Sequence, residues 1–236
     1  MIDQAGLDGW ACQLESIGPI ARRRKLPKGV ATLHSRILRW YARTGLSPTP
    51  DELQAWADEL GLNLPRALTE LAHADLIQAE LDAHRVLGAY PFVSESRGHR
   101  VDIEGGPTVH AYCAVDALGM SAMLKRPVTI TSRDPGSGAE IRVQVRGGKA
   151  TWEPTEAVVT VPASTPGDDR QAGDCACPAV NFHTSAETAH AYERAHHVSL
   201  EVLAVDQAHR LGAAVFGSLL DADPQQEPGL VQGGTR

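Results

Sequence analysis

The sequence predicts an α+β fold, in which a three-helix N-terminal unit precedes a mixed helix and antiparallel-sheet core. Three observations carry that prediction. Apolar residues recur at helical spacing between capping signals up to residue 77, whereas short alternating segments separated by Gly, Pro and Asp dominate residues 128–161. Between them, residues 109–124 are apolar on nearly every side, as expected of a helix buried all round.

Taken in order, residues 1–26 form an N-terminal extension ending in the basic run Arg22-Arg23-Arg24-Lys25. A solvated charge cluster accounts for such a run better than a nucleic-acid or partner contact. Over residues 30–44, Leu33, Ile37, Leu38 and Tyr41 make an apolar stripe, with Arg36, Arg39 and Arg43 off it and Gly45 as the stop. Thr49 with Glu52 reads as a capping box for a second helix, whose buried face is Leu53, Trp56, Ala57 and Leu60. Asn63 caps a third, running through Leu64, Leu68 and Leu71 to Leu76-Ile77. Strands are expected at 78–86, 90–94 and 100–103.

Three helices and short strands resemble a winged helix-turn-helix unit, assigned to residues 27–105. Its third helix nevertheless carries Arg66 against Glu70 and Asp75, an acidic balance for an element entering a phosphate-lined groove. The net charge of −7 points the same way, so nucleic acid is not an expected partner. His84, Arg85, Arg97, His99 and Arg100 supply the basic residues that a DNA-binding wing would use.

Gly105-Gly106-Pro107 marks a boundary, and residues 106–222 make the core domain. After the 109–124 helix come strands at 128–132, 140–146 and 157–161, separated by turn segments, and then a surface loop over 162–174. A strand is expected at 180–182. Thr184 with Glu187 suggests a capping box for a polar helix ending at His196-His197, followed by a strand at 200–205 and a last helix at 207–220. Residues 223–236, rich in Pro, Gln and Gly, read as a disordered tail. There is no apolar run of about 18 residues and no basic-then-apolar leader, so a cytoplasmic protein is expected.

The candidate chemistry lies in the cysteines. Four in 236 residues are too few for a disulfide scaffold, and a reducing compartment would keep them as thiols. Cys113 and Asp116 stand three apart, which on one helix puts both side chains on the same face. Burial raises a carboxyl's pKa and suits it to holding a proton near neutrality, while a thiol that hands over its proton becomes a nucleophile and metal ligand. Alone, the pair reads more readily as a packed thiol and a satisfied polar residue than as a reactive site. A distant Cys175-Ala-Cys177 adds further soft ligands, and thiolates in an apolar setting favour a soft metal over Mg or Ca. The ten histidines show no ligand spacing beyond His196-His197, which reads as a polar helix end.

Tyr-Cys-Ala-Val-Asp-Ala-Leu at 112–118, the strand pattern, and Cys-Pro-Ala-Val-Asn-Phe-His-Thr-Ser at 177–185 together resemble the organomercurial (alkylmercury) lyase family over roughly residues 30–220. The resemblance implies protonolysis of a carbon–mercury bond to a hydrocarbon and Hg(II). Cys113 and Cys177 would bind mercury as thiolates, and Asp116 would take a thiol proton and deliver it to the leaving carbon. No cofactor would be required. Low-molecular-weight thiols or a mercuric reductase would remove the product. Two positions depart from the family pattern: Pro178 stands where a second cysteine often follows the distal one, with Cys175 two residues earlier as an additional metal-binding candidate, and Asp134 replaces a loop cysteine. The competing class is a winged-helix regulator that senses a soft metal or thiol through Cys113 and Cys177. Asp116 separates the two, because sensing needs thiolates alone whereas protonolysis needs a proton donor.

Overall fold

The computed structural model describes residues 18–96, 98–163 and 172–221. The expectations for residues 1–17, most of the 162–174 loop and the 223–236 tail lie outside the described residues. Helices and mostly antiparallel sheets give the expected α+β class.

Helix α1 (Pro19–Arg24) precedes α2 (Lys28–Thr44), α3 (Pro50–Glu59) and α4 (Leu64–His73). The capping box of α3 forms as expected, with Thr49 and Glu52 exchanging hydrogen bonds, and the Asn63 side chain caps α4 by accepting from the Arg66 N–H. The basic run departs from a purely solvated cluster. Arg22 pairs with Asp75, and Arg23 donates to the Leu219 carbonyl and the Ser35 hydroxyl, so α1 is pinned to the body of the protein.

Helix α4 ends at His73 instead of running to 76–77, and the chain turns at Asp75 with φ 50°. The expected strand at 78–86 is a hairpin, β1 (Ile77–Glu80) and β2 (Arg85–Ala89), because Leu81-Asp-Ala-His84 turns the chain. Strands β3 (Phe92–Val93) and β4 (His99–Ile103) follow. Three of the basic residues of this region have partners within the fold: Arg85 pairs with Glu80, Arg100 with Asp102, and His99 is buried against the Ser132 hydroxyl at 2.9 Å. Arg97 lies outside the described residues.

The largest correction falls on residues 109–124. Instead of one helix there is a strand, β5 (Thr108–Ala111), then a break at Tyr112-Cys113, then α5 (Ala114–Leu124). Periodicity cannot separate strand from helix in a continuous apolar run, and here pairing with β3 and β4 decides. Strands β6 (Val128–Arg133), β7 (Glu140–Arg146), β8 (Lys149–Glu153) and β9 (Val158–Pro162) follow; β8, absent from the expectation, folds back on β7 across Gly147-Gly148.

After a single helical turn, α6 (Ala172–Cys175), the chain makes a 3-10 turn over Cys177–Ala179, and the strand expected at 180–182 starts only at 182. Strand β10 is Phe182–His183. Helix α7 (Ala186–His196) is capped by Ser185 with Thr188, not by Thr184 with Glu187, because Asp134 already engages the Thr184 N–H and hydroxyl. Strand β11 (Leu200–Ala204) and α8 (Val205–Phe216) complete the described chain.

Strands β1-β2-β3-β5-β4-β6-β7-β8 form one antiparallel sheet that crosses the 105/106 position, and β10-β9-β11 form a second. Helix α5 is buried along almost its whole length and packs closely on α8. An apolar cluster runs continuously from Val30 in α2 to Leu219 beyond α8.

Candidate active site

The site is built where the sheet hands the chain to α5. Cys113 is not on the helix but is its N-cap, in extended conformation, and its Sγ accepts the Asp116 N–H at 3.4 Å. Asp116 occupies the first turn. The two side chains therefore meet through a cap and not through a shared helical face, and the cap places the sulfur at the positive end of α5, where negative charge is favoured.

Cys177 arrives from the other side on the 3-10 turn. The Ala114 N–H donates to the Val180 carbonyl at 3.1 Å, which ties that turn to the start of α5. The Cys177 thiol faces Asp116 Oδ2 at 3.9 Å. Ligand atoms of Cys113, Asp116 and Cys177 all lie within 4.8 Å of one another, and all three residues are buried. They line a cavity of about 190 Å³ whose other walls are largely apolar, among them Val115, Val161, Leu211, Val215 and Phe216.

Burial sets the protonation. It pushes the Asp116 carboxyl up to about 7, against opposing hydrogen bonds from Cys113. It also raises the Cys113 thiol. Cys177 is raised well above the ordinary thiol value, first by its hydrogen bond with Cys113 and then by burial. Near neutral pH both thiols keep their protons, while Asp116 is poised between its two states. The Cys177 thiol therefore has a proton acceptor beside it that titrates in the physiological range.

Cys175 is half-buried and does not line this cavity. Asp134, at the second departure from the family pattern, is a structural clamp. Its Oδ1 accepts the Gly136 and Ser137 N–H groups, and its Oδ2 accepts from Thr184. These bonds outweigh burial and hold its carboxyl well below the usual range. Sequence reasoning missed the polar side chains of the cavity wall, Arg22, Asp75 and Tyr90. No local pattern marks them, since each reaches the site only through tertiary contacts.

A family model described as alkylmercury lyase matches residues 92–217, more than half of the chain. An alkylmercury lyase of Staphylococcus epidermidis is 30% identical over 138 residues, covering 58% of this chain and 62% of that protein. One of Streptomyces lividans is 29% identical over 126 residues, covering 53% and 57%. The chain thus matches somewhat less than two thirds of the length of these relatives. The crystal structure of the mercury-bound form of MerB2 aligns with TM-score 0.69 at 23% identity, over 92% of this chain and 100% of that one, a likeness of fold.

Proposed function

Because the chain belongs to the alkylmercury lyase family, we propose that it cleaves carbon–mercury bonds by protonolysis at Cys113, Asp116 and Cys177. The observation that carries this reading is the meeting of two thiols and a carboxyl within 4.8 Å in the lining of a largely apolar cavity. Mercury enters as part of the substrate, R–Hg–X. The Cys113 sulfur displaces X, and its proton leaves with X as HX. The Cys177 sulfur then binds mercury while its proton passes to Asp116 Oδ2. Two sulfurs donate electron density to mercury and weaken its bond to carbon. Asp116 delivers the proton to that carbon as the bond breaks, releasing R–H and leaving Hg(II) on two thiolates.

The reaction balances without a resident metal or organic cofactor. Hg(II) is the bound product, and low-molecular-weight thiols or a mercuric reductase are its proposed acceptors. The cavity favours an uncharged organic group. A dry apolar cavity of about 150 Å³ is enough to hold benzene, so an aryl group fits here as well as a small alkyl one. Asp116 also weighs against a metal-sensing regulator, which has no use for a proton store between its thiolates. No helix among the described residues is long and apolar enough to cross a membrane.

The test incubates the protein with phenylmercuric or methylmercuric salt and excess thiol and measures benzene or methane. The parent is expected to release hydrocarbon, and Cys113→Ser and Cys177→Ser to release almost none. A parent that binds the mercurial yet forms no hydrocarbon would refute the lyase reading.

A further inference from the structure

The turn that carries Cys177 is held from outside the catalytic elements. Both carboxylate oxygens of Asp75 accept the Ala172 N–H at 3.2 Å, the Tyr90 hydroxyl accepts the Gly173 N–H at 2.9 Å, and Gln78 Nε2 donates to Asp174 Oδ1 at 3.1 Å. Three successive residues of α6 are thus engaged by three side chains from the α4–β1 turn, β1 and the β2–β3 turn. The approach is close: a Cβ at Gly173 would lie 2.7 Å from Gln78 Nε2 and 2.9 Å from the Tyr90 hydroxyl. Tyr90 is itself fixed, its ring 4.7 Å from that of Tyr112, the residue before Cys113. One tyrosine pair therefore touches both arms of the site, the Cys113 arm by ring contact and the Cys177 arm by hydrogen bond.

We propose that Asp75, Gln78 and Tyr90 form a polar clamp that positions Cys177 opposite Cys113 and Asp116. They are positioning residues, acting through the Ala172–Cys177 segment. The clamp gives the N-terminal unit a part in the chemistry: it sets the distance between the two sulfurs, on which two-point capture of mercury depends. The proposal rests on the reading of the site as a mercury-binding dithiol, and it extends that reading by making residues 75–90 part of the machinery. A shift of about 1 Å between reacting groups costs on the order of a hundredfold in rate.

The experiment compares the parent, Tyr90→Phe, Gln78→Glu and the double variant Gln78→Glu/Asp174→Asn. Gln78→Glu sets one carboxylate against another, and the double variant re-forms the bond with donor and acceptor exchanged. Three quantities are read: hydrocarbon release from phenylmercuric salt, retention of inorganic Hg(II) against the monothiol glutathione, and the thermal midpoint. Tyr90→Phe and Gln78→Glu are expected to lose roughly ten- to a hundredfold in both rate and Hg(II) retention, with the double variant recovering most of both, and every variant's midpoint lying above the assay temperature so that the losses are read on folded protein. Parent-like rate and retention in Gln78→Glu would overturn the clamp. So would a loss that the double variant does not recover, whatever happens to the folding of Tyr90→Phe. If the parent forms no hydrocarbon while Hg(II) retention follows the expected pattern, the lyase reading fails and the clamp stands.

Discussion

At Asp116 the proposed chemistry and the stability of the fold pull in opposite directions. In the proposed mechanism its carboxyl, pushed up to about 7 by burial, is ionised when it receives the Cys177 proton, so the rate of hydrocarbon release is expected to fall as pH drops below about 7. Stability runs the other way. An unfolded Asp titrates near 3.9, so between about pH 4 and 7 the folded state holds the extra proton, and the stabilisation present at low pH is lost as pH rises through that window. Asp116→Asn is therefore expected to slow hydrocarbon release by about 10²–10⁴-fold while keeping Hg(II) on two thiols, and to have a higher thermal midpoint than the parent at pH 8. A midpoint equal to or below the parent's would show that the ionised carboxylate is not a burden on the fold. The sequence made Asp116 and both cysteines legible as residue types. It hid the Asp134 clamp, which in one dimension looks like a loop aspartate replacing a cysteine and in three binds four groups from two segments.

At the scale of elements, the cavity depends on how closely α8 approaches α5. A Cβ on Gly119 would meet the Gly212 carbonyl oxygen and the Phe216 ring, each at 2.6 Å, and one on Gly212 would meet the Val115 carbonyl oxygen at 2.6 Å. Alanine gains about 1 kcal/mol of helix propensity over glycine, but overlap with a rigid backbone carbonyl outweighs it. Gly119→Ala is expected to cost about 1–3 kcal/mol, lowering the thermal midpoint by about 2–4 °C per kcal/mol. It should also displace Leu211, Val215 and Phe216, the cavity wall on α8, and raise KM for an aryl mercurial. An unchanged midpoint would mean that the helices can part without penalty. Elements with a clear period and a cap were readable: α2, α3 and the alternating β7, whose burial follows the pleat residue by residue. Those without one were not. The apolar run at 109–124 divides into β5 and α5 because strand pairing claims its first residues, and Cys113 becomes a cap as a result.

Across the whole molecule, one sheet joins the strands that follow the N-terminal helices to those around the candidate site, and buried histidines bear on its tolerance of acid. Burial lowers His34 to about 3 and His99 to about 4, and it also lowers His183 and His209. An unfolded histidine binds a proton near 6.5, so as pH falls from about 6.5 towards 4 the unfolded chain takes up protons that the folded one refuses, and stability is lost. Four such groups act against the single opposing contribution of Asp116. The thermal midpoint is expected to fall over this range, with His34→Leu showing a shallower decline by about one proton's worth of slope; an identical slope would remove His34 from the account. The sequence by itself determined the α+β class, the capped helices of the N-terminal unit and the presence of two thiols and a carboxyl as candidates for one site, because periodicity, caps and functional groups are properties of a few neighbouring residues. Only the tertiary structure decided that Cys113 caps α5, that Cys177 meets it across Asp116, and that Asp75, Gln78 and Tyr90 hold the second thiol's turn. Those outcomes depend on strand pairing between distant segments and on exclusion of water, and neither is encoded at any one place in the chain.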